Sequence, residues 1–420
     1  MTSRLVIDPL SRVEGHGRVE LALDGNRLTD VRLRLLESPR LFESLLVGRR
    51  FDEVPELICR ICAICSAVHK LTALRAVEAA LAVEVPLLAN SLRELLLLGG
   101  HVQSHALHLF CLILPDFDQQ QSLVPLLKNR DWLAERGVAL KAYGNRVQEV
   151  VGGRVIHPVN PVVGGMSYRP GESQLRELLQ ETVGWLQIWP ELAGAFAARC
   201  RWPAAIAAAG VPLAVGSEGG YGLVGEQLRF GPGQSVAVDD YAELLAEQTV
   251  SHSHAKDADG EQGPFLVGAL ARVKLAAAEG VGEGLVPEAD HIHANNLAQL
   301  NETGWALQRI RDLLEALLST EPNAPLKGRV VEGAGVGTAA MEAPRGLLIH
   351  HYLLDEWGRV VKADVVTPTA INQRIIARQL FADLAGIDQP VQLKEVAERV
   401  VRAYDPCISC AVHLCPVGRS

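Results

Sequence analysis

The sequence opens without an export leader: MTSRLVIDPLSR has neither a positively charged start nor an unbroken apolar run, so a cytoplasmic location is expected. It also lacks a basic surplus. Its 40 Lys and Arg against 49 Asp and Glu leave a net charge of −9, which argues against a surface built to neutralise phosphates and against nucleic acid as a partner. Eight cysteines in 420 residues are too few for a disulfide scaffold. Long apolar runs are scarce as well. Only residues 95–115 test a membrane span, and His101, Gln103, Ser104, His105 and His108 interrupt that stretch with groups costly to expose to lipid, so a buried helix is expected there. Internal repeats and low-complexity linkers are missing.

What is present is apolar material: 48% of residues are hydrophobic and 21% charged, which makes a globular chain with a large interior. At roughly 150 residues per domain the length suggests two or three packed units. Val31, Leu33 and Leu35 alternate with Arg32 and Arg34 after Asp24-Gly25-Asn26, which predicts an N-terminal β-hairpin. Val68, Leu71, Leu74, Val77 and Leu81 then recur at helical spacing, and long helices are expected to about residue 150. Further helices are expected over 173–199, 265–277 and 290–319 and just before Asp405, with loops and short strands over 210–265. Residues 333–372 read as irregular, with a second hairpin around Trp357-Gly358. Gly333-Ala334-Gly335-Val336-Gly337 lacks the following helix that a dinucleotide loop needs, because Pro344 intervenes.

Six of the eight cysteines fall in two tight groups, 59–65 and 407–415. Within them, Cys62-Ala63-Ile64-Cys65 is followed by His69, and Cys407-Ile408-Ser409-Cys410 by His413. Residues three apart on a helical turn point the same way, so two such pairs brought together make a four-thiolate site. A structural zinc and a soft redox metal both accept that donor set. Compact zinc modules keep their pairs close in sequence, whereas Cys65 and Cys407 are almost a chain length apart, which favours chemistry at the centre of an enzyme-sized chain. Cys59, Cys111 and Cys200 read as buried small hydrophobes.

These segments resemble the large, catalytic subunit of the nickel–iron hydrogenases, of the cytoplasmic, cofactor-linked subgroup. Arg12-Val13-Glu14-Gly15-His16 is similar to that family's R-V/I-E-G-H, the first pair to R-x-C-G-x-C-x-x-x-H, and 405–413 to D-P-C-x-x-C-x-x-H. Ser104-His105-Ala106-Leu107-His108 with Pro115-Asp116, residues 154–165, Glu342-Ala343-Pro344-Arg345-Gly346, and Thr367-Pro368-Thr369-Ala370-Ile371-Asn372 agree in the same order along the chain. Ala63 stands where the family usually has glycine, and Ala370-Ile371 replaces a bulkier pair; neither removes a ligand.

The resemblance implies an α+β, predominantly helical fold: one multi-lobed unit over 1–420, with a β-rich part at 1–50 and the first cysteine motif and a central helix bundle at 51–200. A middle α/β lobe at 201–345 and a C-terminal part at 346–420 with the second motif complete it. It further implies reversible heterolytic cleavage of H2, with Cys62 and Cys407 binding nickel terminally and Cys65 and Cys410 bridging nickel to an iron that carries cyanide and carbonyl. Pro344, Arg345 and Thr369 would hold the cyanides, with the Arg345 guanidinium over the open face. Asp116 and Asp405 would fix Arg345, and His69 would donate to a bridging sulfur. Glu14 would relay protons outward after a nickel thiolate or Arg345 takes the first. Glu43, the carbonyl of Val365 and His413 would bind a magnesium or iron near the C-terminus.

The cysteines left over are too scattered for iron–sulfur clusters, so an iron–sulfur small subunit is the implied partner, beside the 62–69 segment, with further subunits linked to NAD(P), a deazaflavin or a ferredoxin. The family's C-terminal extension is clipped after the last histidine once nickel is in, implying a maturation endopeptidase and nickel-insertion proteins, and a mature end at His413. Plainer readings stand beside these. Glu14 could pair with Arg12 or Arg18, Asp405 could cap a helix, Glu43 could be solvated, and His101, His105 and His108 read as core histidines. A metal-free electron-transfer protein of the complex I type and a structural zinc scaffold are the rival functions.

Overall fold

A computed structural model of the chain describes residues 2–412 apart from 26, 39, 203–206, 208–209, 217–220, 232, 282, 288–289 and 322. The architecture is α+β and mostly helical. The expected N-terminal hairpin pairs Gly17–Asp24 with Arg27–Leu35, and Thr2–Ile7 adds a third antiparallel strand that sequence patterning does not single out. Val19, Leu21, Val31, Leu33 and Leu35 point into one core with Ile375, Ile376, Ile408 and Val412, so the two ends of the chain share a hydrophobic cluster.

The helix bundle consists of Leu87–Ala106, Trp132–Gly152, Glu172–Arg199 and Ala294–Ser319, with Ser66–Ala80 packed between it and a sheet. The helical run Leu87–Phe117 passes a length-and-apolarity test for a membrane span, yet 83% of its most apolar window is buried inside the protein. Its polar groups find partners inside the bundle, Arg93 with Glu78 and His105 with Glu302, as a buried helix requires. It turns through a π-helical stretch at Leu107–Ile113 before Pro115, which cannot continue the hydrogen-bond ladder.

The region 333–372 departs most from its sequence reading. Instead of irregular chain it forms the long antiparallel strands Gly335–Ala343, Gly346–Leu354 and Val360–Val366, joined by a tight turn at Pro344-Arg345 and by the expected hairpin at 355–359. Gly335–Ala343 and Gly346–Leu354 are largely buried on both faces, so the period-two alternation that marks a half-exposed strand is missing from them. The Pro344-Arg345 turn crosses the 345/346 division of the sequence, since Ala343 pairs with Gly346. Pro368–Leu384 then runs as a helix beneath the N-terminal sheet.

Candidate metal centre

Four sulfurs from the two distant motifs meet in the interior. Cys62, Cys65, Cys407 and Cys410 are all buried, and their Sγ atoms lie within 4.8 Å of one another. Cys407 Sγ is 3.5 Å from those of Cys62 and Cys65 and 2.8 Å from Cys410, and Cys65 to Cys410 is 3.0 Å. The first pair does not share a helical turn as the spacing suggests: Cys62 is extended after the Cys59–Ile61 turn, and Cys65 stands at the N-cap of Ser66–Ala80. Convergence comes instead from pairing of the chain ends. The backbone of Glu14 lies parallel to Cys407, and Ile408 N donates to Glu14 O at 3.2 Å. Gly15, at φ +83°, permits this approach, since a Cβ there would stand 2.7 Å from Ile408 Cβ.

Hydrogen bonds from Cys407, Cys410 and Cys65 hold the Cys62 thiol well below its ordinary range, while burial pushes Cys407 and Cys410 well above theirs. Burial thus opposes ionisation of the second cysteine pair. A thiophilic metal reverses this, because it coordinates thiolate and displaces the protons.

Arg345 is buried at the Pro344-Arg345 turn and donates from Nε to Asp405 Oδ1 at 3.0 Å, while its Nη2 has no hydrogen-bond partner among the described residues. Burial opposes its charge, but Asp405 and then the sulfurs of Cys407, Cys65 and Cys62 hold it charged. Asp405 takes the left-handed φ of 49° and accepts from Gln299 Nε2 at 3.1 Å, so its carboxylate serves the site and caps no helix. Asp116 does otherwise than expected. It accepts from Arg402 Nε at 2.9 Å and Nη2 at 3.0 Å and from Arg12, and its bonds among the described residues do not include Arg345. Arg402 and Arg12 lie closer along the packed chain ends and take both of its oxygens.

Glu14 presents its carboxylate to Ser409, between the second cysteine pair, accepting from Ser409 N at 3.1 Å and from Ser409 Oγ. This displaces the pairing with Arg12 or Arg18. Thr369 Oγ1 accepts from Cys407 N at 2.8 Å, which leaves its hydroxyl proton free to donate. His69 stands with Nδ1 3.2 Å from His350 Nε2, and His350 Nδ1 lies 2.7 Å from the Tyr352 hydroxyl. The helical histidines are core residues: His105 meets Glu302 at 2.5 Å, His108 meets Gln299 at 2.5 Å and the Arg402 carbonyl at 2.8 Å, and His101 meets the Leu97 carbonyl at 3.0 Å. Burial holds His101 neutral, down at about 3.

A second cluster joins Glu43, Glu247 and Asp364. Lys256 Nζ lies 2.9 Å from Glu43, 2.8 Å from Glu247 and 3.6 Å from Asp364. Val365 meets Glu43 through its amide N–H, at 2.9 Å. His413, the third expected ligand, lies outside the described residues. Ser409, Gln299, Glu247, Asp364 and Lys256 are not anticipated by the sequence. Ser409 alone carries a sequence signal, by standing between two ligand-type cysteines.

Comparison with known proteins agrees with this geometry. A family model described as "Nickel-dependent hydrogenase" matches residues 40–124 and 294–413, and a "HoxL-like" model matches 4–37. The chain is 36% identical to the alpha subunit of sulfhydrogenase 2 of Pyrococcus furiosus, over 97% of this chain and 98% of that protein. It is 34% identical to the corresponding alpha subunit of sulfhydrogenase 1 of the same organism, over 98% of each chain. Among solved structures, an NAD+-reducing nickel–iron hydrogenase in the H2-reduced state superposes with a TM-score of 0.87 at 26% identity, covering 98% of this chain and 99% of that one.

Proposed function

From the premise that the chain belongs to the nickel-dependent hydrogenase family, as a catalytic large subunit, we propose that Cys62, Cys65, Cys407 and Cys410 hold its nickel–iron pair. The observation that carries this assignment is the convergence of four buried sulfurs from the two ends of the chain. In this reading Cys62 and Cys407 would hold the nickel alone, and Cys65 and Cys410 would hold nickel and iron together. A nickel–iron pair supplies the Lewis acidity and the redox change by which H2 is split heterolytically.

The chain's own groups do the rest. Arg345 stands beside the sulfurs with an Nη2 that has no partner among the described residues, so it offers a fixed positive charge and a donor to the open side of the site. Asp405 orients it through the bond to Nε. The free hydroxyl proton of Thr369, with the N–H donors of Arg345 next to Pro344, suits acceptor ligands such as cyanide on iron. Glu14, bonded at Ser409 between two ligand sulfurs, receives a proton from the site and passes it outward. His69 tunes a bridging sulfur from its place on the His350 pair, while Asp116 belongs to the surrounding scaffold through Arg12 and Arg402. Glu43, the Val365 carbonyl and His413 bind a magnesium or iron, with Glu247 and Asp364 alongside.

Electrons leave through an iron–sulfur small subunit in this reading. Its face lies beside the first cysteine pair, where exposed Ala63 lines a cleft together with Ile156, 46% exposed. A cytoplasmic complex with nicotinamide-, deazaflavin- or ferredoxin-linked subunits completes it, and the NAD+-reducing structural match supports the first of these carriers. A maturation endopeptidase, acting after the nickel-insertion proteins, removes the seven residues 414–420. Intact mass of active enzyme checks this: a chain ending at His413 is expected, and a mass that includes Ser420 refutes it. The test of the whole assignment is elemental and infrared analysis of matured protein. One nickel and one iron at the cluster, with cyanide and carbonyl bands, are expected; zinc alone would overturn it.

A further inference from the structure

Behind the Arg345 turn lies a second guanidinium that no sequence motif marks. Arg272, in the helix Ala269–Ala278, is buried, and each of its five N–H groups has an acceptor. Nε donates to Glu302 Oε1 at 2.7 Å and Nη2 to Glu302 Oε2 at 2.6 Å. Nη1 donates to Glu342 Oε2 at 2.8 Å. The remaining two donors reach backbone: Nη1 to the Ala343 carbonyl at 3.2 Å and Nη2 to the Pro344 carbonyl at 3.3 Å. Those are the two residues that lead into Arg345.

We propose that Arg272 is a positioning residue: held between the carboxylates of Glu302 and Glu342, it grips the carbonyls of Ala343 and Pro344 and so sets where the Arg345 side chain stands over the sulfurs. The inference rests on the reading that Arg345 works over the open side of the metal centre.

Three observations support it. First, the fork and its neighbours form a fixed frame. Glu302 also accepts from His105, at 2.5 Å, and from the Tyr221 hydroxyl, and Glu342 accepts from Val215 N at 2.7 Å, so neither carboxylate can follow a displaced guanidinium. Second, the turn is closed from the other side. Gly346, at φ +130°, is pressed so near Val267 and Gly268 that a Cβ would stand 2.7 Å from Val267 Cγ2 and 2.8 Å from Gly268 N. Third, among the described residues Arg345 has a single side-chain bond, to Asp405, so the position of its head depends on Asp405 and on the turn beneath its Cα. Stability alone is a weak reason for this cluster, since buried ion pairs are often replaced by apolar groups at no loss. Placement of a reacting group to within a fraction of an ångström is a stronger one.

The test compares Arg272→Lys with wild type in the matured complex. Lysine keeps the charge but loses the planar five-donor fork, so carboxylate pairing survives and the grip on the two carbonyls does not. Nickel and iron contents should stay at wild-type level while kcat for H2 falls about tenfold or more, as misplacement of a reacting group does, with KM unchanged. The cyanide bands should shift or double. Hydrogen exchange over residues 340–350 should quicken even in chain without metals. Wild-type kcat with unshifted bands and unchanged exchange would overturn the proposal. Should Arg272→Lys fail to accumulate, Glu342→Gln is the second variant. It keeps size and the acceptor for Val215 N, and the same changes at smaller size are expected; their absence also overturns the proposal. Arg345→Lys is run alongside. Full turnover in that variant would fault the role of Arg345 itself, whereas lost turnover there with normal Arg272 variants would fault only the positioning role.

Discussion

Four sulfurs and three carboxylates form the two ligand-type clusters of the described residues, and each resolves its charge differently. At the sulfur cluster the contacts run from sulfur to sulfur, and the adjacent Arg345 is turned to Asp405. At the carboxylate cluster an ammonium has already entered: Lys256 bonds Glu43 and Glu247 and lies 3.6 Å from Asp364. In the proposed reading a soft cation that displaces protons completes the first site, whereas the second already holds one ammonium among its three carboxyls. The difference separates a centre that requires metal for its chemistry from a cluster in which a hard cation adds to an existing counter-charge.

The largest effect should come from breaking the sulfur set. Cys65→Ser or Cys410→Ser removes a ligand shared by two ions in the proposed centre, and serine is a poor bridge between soft metals. Both nickel and iron should be lost and H2 oxidation abolished, as elemental analysis and a dye-linked H2 assay would show. Retention of both metals in either variant would deny that sulfur a bridging place.

Next in size is Arg345→Lys. The charge remains and the metals should remain, but the guanidinium donor aimed at the open side is gone. Losing one preorganised donor to a reacting centre costs about 10²–10³ in turnover, which sets the expected fall. Turnover equal to wild type at equal nickel content would remove Arg345 from the chemistry.

Residues of the site differ in how far the sequence reveals them. The cysteine pairs are legible because C-x-x-C is local and the motif order runs along the whole chain. Arg345 and Glu14 are legible only through resemblance, since a lone arginine or glutamate is ordinary by itself. Asp116 departs from its expected place because its partner is chosen by packing of the chain ends: Arg12 and Arg402 reach it, and no spacing in the sequence foretells which guanidinium will. The strands within 335–366 read as irregular for a related reason. Burial on both faces erases alternation in Gly335–Ala343 and Gly346–Leu354, and Thr338, Glu342 and His350 are buried polar residues that mimic loop composition. Arg272 has no signal at all, because its acceptors come from separate elements and meet around it only after folding.

Glu14→Gln sharpens the comparison at the edge of the sulfur cluster. Gln keeps size and can still accept from Ser409, yet it cannot carry a proton. Nickel and iron contents should be normal, and H2 oxidation should fall about 100-fold, the scale of a lost proton-transfer group. Exchange of H2 with solvent protons at the centre should fall with it, because the route outward is shared. Unchanged turnover would leave Glu14 as a clamp for Ser409 only.

The smallest effect on activity is expected at the carboxylate cluster, where stability is the better readout. Lys256→Met keeps the apolar stem but leaves Glu43, Glu247 and Asp364, whose ligand oxygens lie within 4.8 Å of one another, without their ammonium. Removing one partner from a largely buried ion cluster destabilises by about 3 kcal/mol, so the melting temperature should drop in the absence of divalent ions. Added magnesium should then restore more of the loss in the variant than it adds to wild type, because a divalent cation takes over the charge that Lys256 supplied. A variant that melts like wild type and ignores magnesium would show that Lys256 is a surface tether and that the cluster balances its charge in another way. A variant destabilised but indifferent to magnesium would keep the ammonium as the cluster's own cation and remove Glu43 from the metal ligands. The two clusters would then differ in kind, one built for metal and the other for lysine.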